Sequence, residues 1–576
     1  PNLDTGARGT AVVHVVSLAL DHNHDGVIDL SYTGPDTAPW SRPFRFWVNN
    51  DYDRWHDYYE PDWNQVHDQE EDDLKTAGSP GTVGVTPDCD YQWADGAYAI
   101  PSKRDLEDYT RLWLPGIKKL YETHTNLSFE LSIRNNDTAD GPAINLVLAV
   151  ESDGGTRYLT NTSVANDQIS LPSGKCIGRI SPHNTIRLND FFELALYPGT
   201  GAEHFIWCGA RRGKGELVLQ VKDGSNLLAE TSAWLDLKDI KEMYGRWTVG
   251  DNGSKPPTNT AYCAVEDLPM GISKFQYTSP SDTNTPYILH VHGWNMSRYD
   301  KDRYAETAFK RLYLQGYQGR FGSFRWPTKT GFTTFDSSEF NAWKSGEGLY
   351  RVLTNLNATY PGRVYLTAHS MGNIVAAEAL RKAGAGQLVN TYIAMQAAIA
   401  SHAYDPTTAK RSLGILDSFT YDRHAEYWTN GAPCYMNGVQ GAAHFANFFN
   451  RRDWALSWWE TDQDTKLDFG YSWVAVPNEN ERYYYTDAFN NVRALNFPQD
   501  TYEVFSFITE ARCYAVGAQT NVAGPFTLSA QVNLDIAPHN FGELHKGHSG
   551  EFRSTNMERW PFWERVLFTM GLKAAQ

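Results

Sequence analysis

At 576 residues the chain is too long for one ordinary domain, and about two to four are expected. Its formal charge of −17 leaves no basic footprint, which argues against a nucleic-acid surface or an anionic-membrane surface as partner. No apolar run approaches the roughly 20 residues of a transmembrane helix.

The first readable element is Ala11 to Leu20 (AVVHVVSLAL), whose β-branched run predicts a strand. The next nine residues, DHNHDGVID, space oxygen donors at loop positions one, three, five and nine (Asp21, Asn23, Asp25, Asp29), with Gly26 for the sharp turn and the carbonyl of Val27 between them. This matches most of an EF-hand-type calcium loop. Position twelve is Tyr32 rather than a bidentate glutamate, and a strand instead of a helix precedes the loop, so a helix-loop-helix hand is not expected. A structural calcium ion is the expectation, and an Asx-rich turn is the alternative. Asn49 to Asp73 then carries ten acids against one arginine, more than half of the net charge. Such a window is a solvated acidic loop, or else the source of a further calcium ligand.

Between there and residue 250 the chain alternates β-favouring runs with turn-rich pieces such as NNDTADGP and ESDGG. The runs include Asn126 to Arg134 (NLSFELSIR), Ala143 to Glu151 (AINLVLAVE) and Glu216 to Lys222 (ELVLQVK). Residues 1–250 therefore read as a β-rich, sandwich-like region of one or two modules. GDNGSKPPTN (250–259) opens a linker assigned to 251–269. From 270 to 576 strand-like and helix-like runs alternate, as a mainly parallel sheet flanked by helices requires. The six cysteines (Cys89, Cys176, Cys208, Cys263, Cys434, Cys513) form no CxxC pair that would suggest zinc. They fit one to three disulfides in an exported protein, or buried thiols. The start at Pro1 fits an exported chain whose signal peptide has been removed.

The chemistry-bearing segments all lie in the second part. Tyr287 to His292 (YILHVH) reads as a strand that runs into Gly293, Trp294 and Asn295. Val364 to Ala368 is a buried strand, and from Asn373 apolar residues recur at helical spacing up to Gly384. Ser370 sits in the four-residue turn between them, with the small residues Ala368 and Gly372 two positions to either side. That is the nucleophile-elbow pattern with alanine in place of the first glycine, and it makes Ser370 a nucleophile candidate. A helix N-cap serine is the alternative. An oxyanion site would use the backbone amides of Trp294 and Met371. Asp453, 83 residues past Ser370, follows the strand-like run His444 to Asn450. GELHKGHSGEF then offers two histidines before a helix-like run from Arg559 to Leu572. His548 is the preferred base, with His545 a close competitor and His539 a distant one. The chain order serine, acid, histidine is the one a strand-to-helix elbow uses.

Taken together, HVHGW, FRWPT (Phe324 to Thr328), AHSMGN, NRRDWAL and HSGEF resemble the α/β-hydrolase superfamily, and in particular large extracellular bacterial members of it. The resemblance covers about residues 270–576. It implies a C-terminal α/β-hydrolase fold and a secreted serine hydrolase that acts through an acyl-enzyme, with no cofactor in the chemistry. RDLEDYTRLWL (Arg104 to Leu114) resembles a segment seen beside such domains. Trp294, Trp326, Trp454, Trp458 and Trp459, with Met296 and Met371, crowd the same segments. They suit an ester with a hydrophobic acyl or aryl part, polymeric esters included, although more than half of such tryptophans are expected in the core. Amide cleavage by the same residues, and a catalytically silent binding protein, are the other readings.

Overall fold

The structure, a computed structural model, describes residues 16–30, 34–48, 106–151, 155–169, 176–192, 203–249, 265–268, 284–296, 298–328, 335–384, 386–399, 404, 428–429, 432–433, 435, 441–450, 453, 455–456, 472–475, 483–486, 492–495, 516–518, 532–536, 548–553 and 556–573. The chain divides into two units between Ile240 and Lys241.

The first unit is built on strands whose sequence alternates. Leu127–Arg134 (LSFELSIR) buries every second residue, the period that one covered and one solvated sheet face impose. It pairs antiparallel with Gly213–Asp223, which turns through Gly224, at a φ of 59°, into the long antiparallel strand Asn226–Asp239. Asn226–Asp239 also pairs in parallel with Phe44–Val48. Ten strands join one hydrogen-bonded sheet, which forks at His204–Arg211: this strand pairs with Phe44–Val48, with Thr110–Trp113 and with Ala143–Leu148, and the last of these pairs in turn with Cys176–Ile180. The sequence suggests one or two sandwich-like modules; the described strands form a single forked sheet. Phe44, Phe46, Trp47 and Trp207 pack ring against ring in its core. Of the expected strand Ala11 to Leu20, only Ala19–Leu20 is a strand among the described residues.

The second unit holds a sheet of eight strands: β1 (Gly245–Val249), β2 (Val265–Leu268), β3 (Tyr287–Val291), β4 (Arg320–Arg325), β5 (Val364–His369), β6 (Val389–Met395), β7 (Ala442–Phe449) and β8 (Val532–Asp535). Their order is β2-β1-β4-β3-β5-β6-β7-β8, and every neighbouring pair is parallel except β1 with β2. Strands β3, β4 and β5 are buried along their whole length, as a parallel sheet covered on both faces requires. Helices α1 (Arg298–Leu314), α2 (Phe335–Thr359), α3 (Gly372–Ala383), α4 (Gly550–Arg553) and α5 (Asn556–Thr569) accompany it. Leu289, Val291, Leu366, Ile374 and Val375 lie in one apolar core, each such side chain contributing about 1.5–3 kcal/mol by leaving water. Asp302 of α1 accepts from Arg325 Nη1 of β4 at 2.7 Å and from Arg246 Nη1 of β1 at 3.4 Å, a buried link between helix and sheet.

The unit boundary lies ten residues before the one read from composition. The reason is that β1, which precedes the glycine- and proline-rich stretch, pairs with β4, and β2, inside the stretch assigned as linker, pairs with β1. Between β7 and β8, Ser472–Ala475, Tyr483–Thr486 and Val492–Leu495 form an antiparallel meander that the sequence did not announce. The acidic window 49–73, the linker core 250–259, and Cys89, Cys263, Cys434 and Cys513 lie outside the described residues. Cys208 is buried, and its sulfur accepts from the Asn145 side-chain amide at 3.6 Å.

Candidate active site

The elbow forms because β5 runs into α3 with only Ser370 and Met371 between them. Ser370 takes a φ of 51°, a left-handed conformation that costs an ordinary residue about 1–3 kcal/mol and is kept only where surroundings enforce it. Here they do. Ser370 N–H donates to the Met395 carbonyl at 3.0 Å, and the Ser370 carbonyl accepts from the Ala398 amide at 3.2 Å. The Asn373 side-chain amide donates to the carbonyls of Ala368 (3.0 Å) and Ser370 (2.8 Å), and its oxygen accepts from the Tyr392 hydroxyl at 2.6 Å. Glycine at 372 is a steric requirement, since a Cβ there would lie 2.4 Å from the His292 carbonyl oxygen. Ala368 is fully buried within β5, which fits alanine at the first small position.

Three side chains meet at this end of the sheet. Ser370 Oγ is 2.8 Å from His548 Nε2, and His548 Nδ1 is 2.6 Å from Asp453 Oδ2. Asp453 is fully buried, and its other oxygen accepts the amides of Ala455 (3.0 Å) and Leu456 (3.1 Å). Gln396, itself at a φ of 44°, donates to Oδ2 at 2.9 Å, the fourth hydrogen bond to this carboxylate. Because that oxygen accepts, His548 Nδ1 carries the ring proton, and Nε2 presents its lone pair to the serine hydroxyl. An imidazole so placed can take a proton from a neighbouring hydroxyl. His545 and His539, the two competing histidines, lie outside the described residues.

The loop after β3 is pinned against Ser370. A Cβ on Gly293 would come within 2.8 Å of Ser370 Cβ, so only glycine permits this approach. The rings of His292 and Trp326 stack 5.3 Å apart with 3° between planes. The pair is also reciprocally hydrogen-bonded: the Trp326 amide donates to His292 Nε2 (3.1 Å), and the Trp326 indole donates to the His292 carbonyl (2.8 Å). Thr328 Oγ1 accepts from the Asn295 amide at 3.1 Å. The FRWPT segment is thus a clamp on the loop that carries Trp294, while Met371 is the N-cap residue of α3. Burial pushes His290 down to about 3, and burial aided by the Lys301 charge holds His292 well below the usual histidine range. Of the aromatic and sulfur residues noted in the sequence, Trp326, Met296 and Met371 are buried and Trp294 is partly buried against the core. Trp454, Trp458 and Trp459 lie outside the described residues.

In the first unit the DHNHDGVID loop is tied down by its own amides and by one cation. Asp21 Oδ2 accepts from the Arg111 guanidinium and from the Gly26 amide (3.2 Å). Asn23 Oδ1 accepts from the Asp25 amide (3.0 Å) and Asp25 Oδ1 from the Val27 amide (2.9 Å). Asp36, which the sequence reading overlooked, takes the amides of His22 (2.8 Å), Asn23 (3.2 Å) and Asp29 (2.6 Å). Among the described residues no group of three His, Cys, Asp or Glu side chains is arranged to hold a metal. Asp21 Oδ1 is nonetheless buried with no hydrogen-bond partner among them. Burial, opposed by Arg111, raises the Asp21 carboxyl to about 6. Arg111 and Asp108, which accepts from the Trp47 indole at 2.8 Å, give the RDLEDYTRLWL segment its role: it braces this loop and the aromatic core.

Residues 273–402 match the model of a family described as "Alpha/beta hydrolase of unknown function (DUF900)". A hyperthermophilic esterase from the archaeon Pyrobaculum calidifontis aligns at 13% identity and a TM-score of 0.18, over 29% of this chain and 58% of its own. A structure from a study of the metagenome-derived lipolytic enzymes LipS and LipT aligns at 15% identity and 0.16, over 29% and 73%. Likenesses this slight carry no argument, and the chain spans little more than half the length of the first. No curated protein matches the sequence. The sheet order and the elbow between β5 and α3 agree with the family match over residues 273–402, and the second unit is an α/β-hydrolase domain.

Proposed function

We propose that the protein is a secreted serine hydrolase of carboxylic esters, with Ser370 as nucleophile, His548 as general base and Asp453 as its orienting acid. The observation that carries this reading is the unbroken series from Ser370 Oγ through His548 to Asp453, with contacts of 2.8 and 2.6 Å, on a serine held at positive φ. In the first half-reaction His548 Nε2 takes the hydroxyl proton as Oγ bonds to the ester carbonyl carbon. The amides of Trp294 and Met371 receive the developing oxyanion, a donor type worth about 2.7–4 kcal/mol each. Collapse expels the alcohol, which leaves with the proton from Nε2. Water, deprotonated by the same nitrogen, then attacks the acyl-enzyme and releases the acid. Trp294, partly buried beside the nucleophile loop, favours substrates with a hydrophobic acyl or aryl part. Hydrolysis of p-nitrophenyl esters of increasing chain length, set against the matching anilides, tests the substrate class. Esters are expected to turn over faster at every length; equal or faster anilide cleavage makes the protein an amidase.

A structural calcium ion in the first unit belongs to the same proposal, held by Asp21, Asn23, Asp25, the Val27 carbonyl and Asp29. Its support is the spacing of these oxygens and the buried, unbonded Asp21 Oδ1, which a cation would compensate. Chelation is expected to lower the melting temperature and added calcium to restore it. An unchanged melting temperature retires the site.

A further inference from the structure

His369, the residue immediately before Ser370, borders both the His548 segment and the Gly293 loop. His369 ends β5, and its side chain is 2% exposed. Its Nε2 lies 2.7 Å from the His548 carbonyl oxygen and 3.5 Å from Glu551 Oε1. Both neighbours are acceptors, so Nε2 carries a proton and donates. The other edge of the ring faces the oxyanion loop, because a Cβ on Gly293 would sit 3.0 Å from His369 Nδ1. The ring also packs 5.0 Å from that of His548.

The segment that follows His548 is built to meet this ring. Glu551 is 1% exposed, and a carboxylate so deep is retained only when its surroundings compensate the lost water. Its own carbonyl accepts from the Trp563 indole at 2.9 Å. Next to it Phe552 is fully buried, stacked on Tyr304 at 4.4 Å and set edge-on to His369 at 5.1 Å and Trp563 at 5.7 Å. His548 precedes α4 by two residues, so wherever Glu551 and Phe552 are held, the base is held with them.

We propose that His369 and Glu551 form a positioning pair that locks the loop of the general base to the nucleophile strand. The imidazole donates to the backbone of His548 and the buried carboxylate fixes the direction of that donor. This rests on the assignment of Ser370 and His548 above. Neither residue reaches the substrate; both act by keeping Nε2 of His548 within hydrogen-bonding distance of Ser370 Oγ.

The test compares the wild type with His369→Gln, His369→Leu and Glu551→Gln, reading p-nitrophenyl ester kinetics and the rate of fluorophosphonate labelling, with the melting temperature as a fold control. His369→Leu, which keeps volume but loses the donor, is expected to lose about 100-fold in kcat and in labelling rate with KM little changed, the scale of a roughly 1 Å misplacement. His369→Gln restores an N–H donor and is expected to recover most of that loss. Glu551→Gln keeps the shape and is expected to fall about ten-fold in kcat, between these two. Wild-type kcat in Glu551→Gln, or a glutamine at 369 no better than leucine, overturns the pair. Should His369→Leu fail to fold, Glu551→Gln decides the matter alone: a reduced kcat at unchanged KM supports the pair, and a wild-type kcat overturns it. Absence of labelling in the folded wild type is a different failure, since it removes the assignment of Ser370 and the pair with it.

Discussion

Asp453→Asn is expected to lower kcat for an ester by about 10⁴-fold while leaving KM within a few-fold, the scale of a tautomer trap in a serine relay. The Oδ1 position accepts two backbone amides, those of Ala455 and Leu456, which cannot turn away. The asparagine oxygen must therefore occupy that side. Its NH₂ then faces His548 Nδ1 and the Gln396 amide where Oδ2 stood. Two donors now oppose a third, and the cheapest relief is for His548 to move its proton to Nε2. That nitrogen then points a hydrogen at Ser370 instead of a lone pair, and the base is gone. Steady-state kinetics with a p-nitrophenyl ester measure the loss, and a melting temperature near that of the wild type shows that geometry survives. A kcat within ten-fold of wild type contradicts the role given to Asp453.

Acidification is expected to unfold the protein steadily once the pH drops below about 6.5. Burial lowers His22 to about 4 and His290 to about 3, and it holds His24 and His292 well below 6.5. Each is neutral in the native state at a pH where the unfolded chain protonates it. Between 6.5 and the lowered value the unfolded chain binds more protons, so stability is complete above 6.5 and declines as the pH falls. Each histidine costs about 1.4 kcal/mol per pH unit in that window. The second unit, with His290 and His292 fully buried, is expected to be acid-sensitive through both. Melting temperatures across pH 4.5–8 check this; a value that stays level or rises as the pH drops from 6.5 to 4.5 contradicts it.

The legible parts of the site were those written in local sequence. A short β-branched strand, a serine between small residues and a helix with a glycine stop place Ser370 without any long-range information. Asp453 and His548 followed from chain order and from what flanks them. Hidden were the partners that reach the site from a distance: Gln396, which is 57 residues from Asp453, and Glu551, which faces a histidine 182 positions earlier. Asn373 stood within a quoted motif, yet its task, feeding the elbow carbonyls, exists only once β6 lies alongside. FRWPT was visible as a pattern and became a clamp only when β4 ended beside β3. In the first unit, alternation exposed single strands such as Leu127–Arg134, whereas the parallel pairing of Phe44–Val48 with Asn226–Asp239 joins residues about 190 apart. No local signal encodes such a contact. The unit boundary was misplaced for the same reason, because β1 looks like the end of one region until its partner β4 is known.

The most direct measurement is labelling of the folded protein by a fluorophosphonate, with the modified residue located by mass spectrometry. One adduct on Ser370 is expected in the wild type and none in Ser370→Ala. A folded wild type that remains unlabelled, or a Ser370→Ala protein labelled as readily as its parent, contradicts the account.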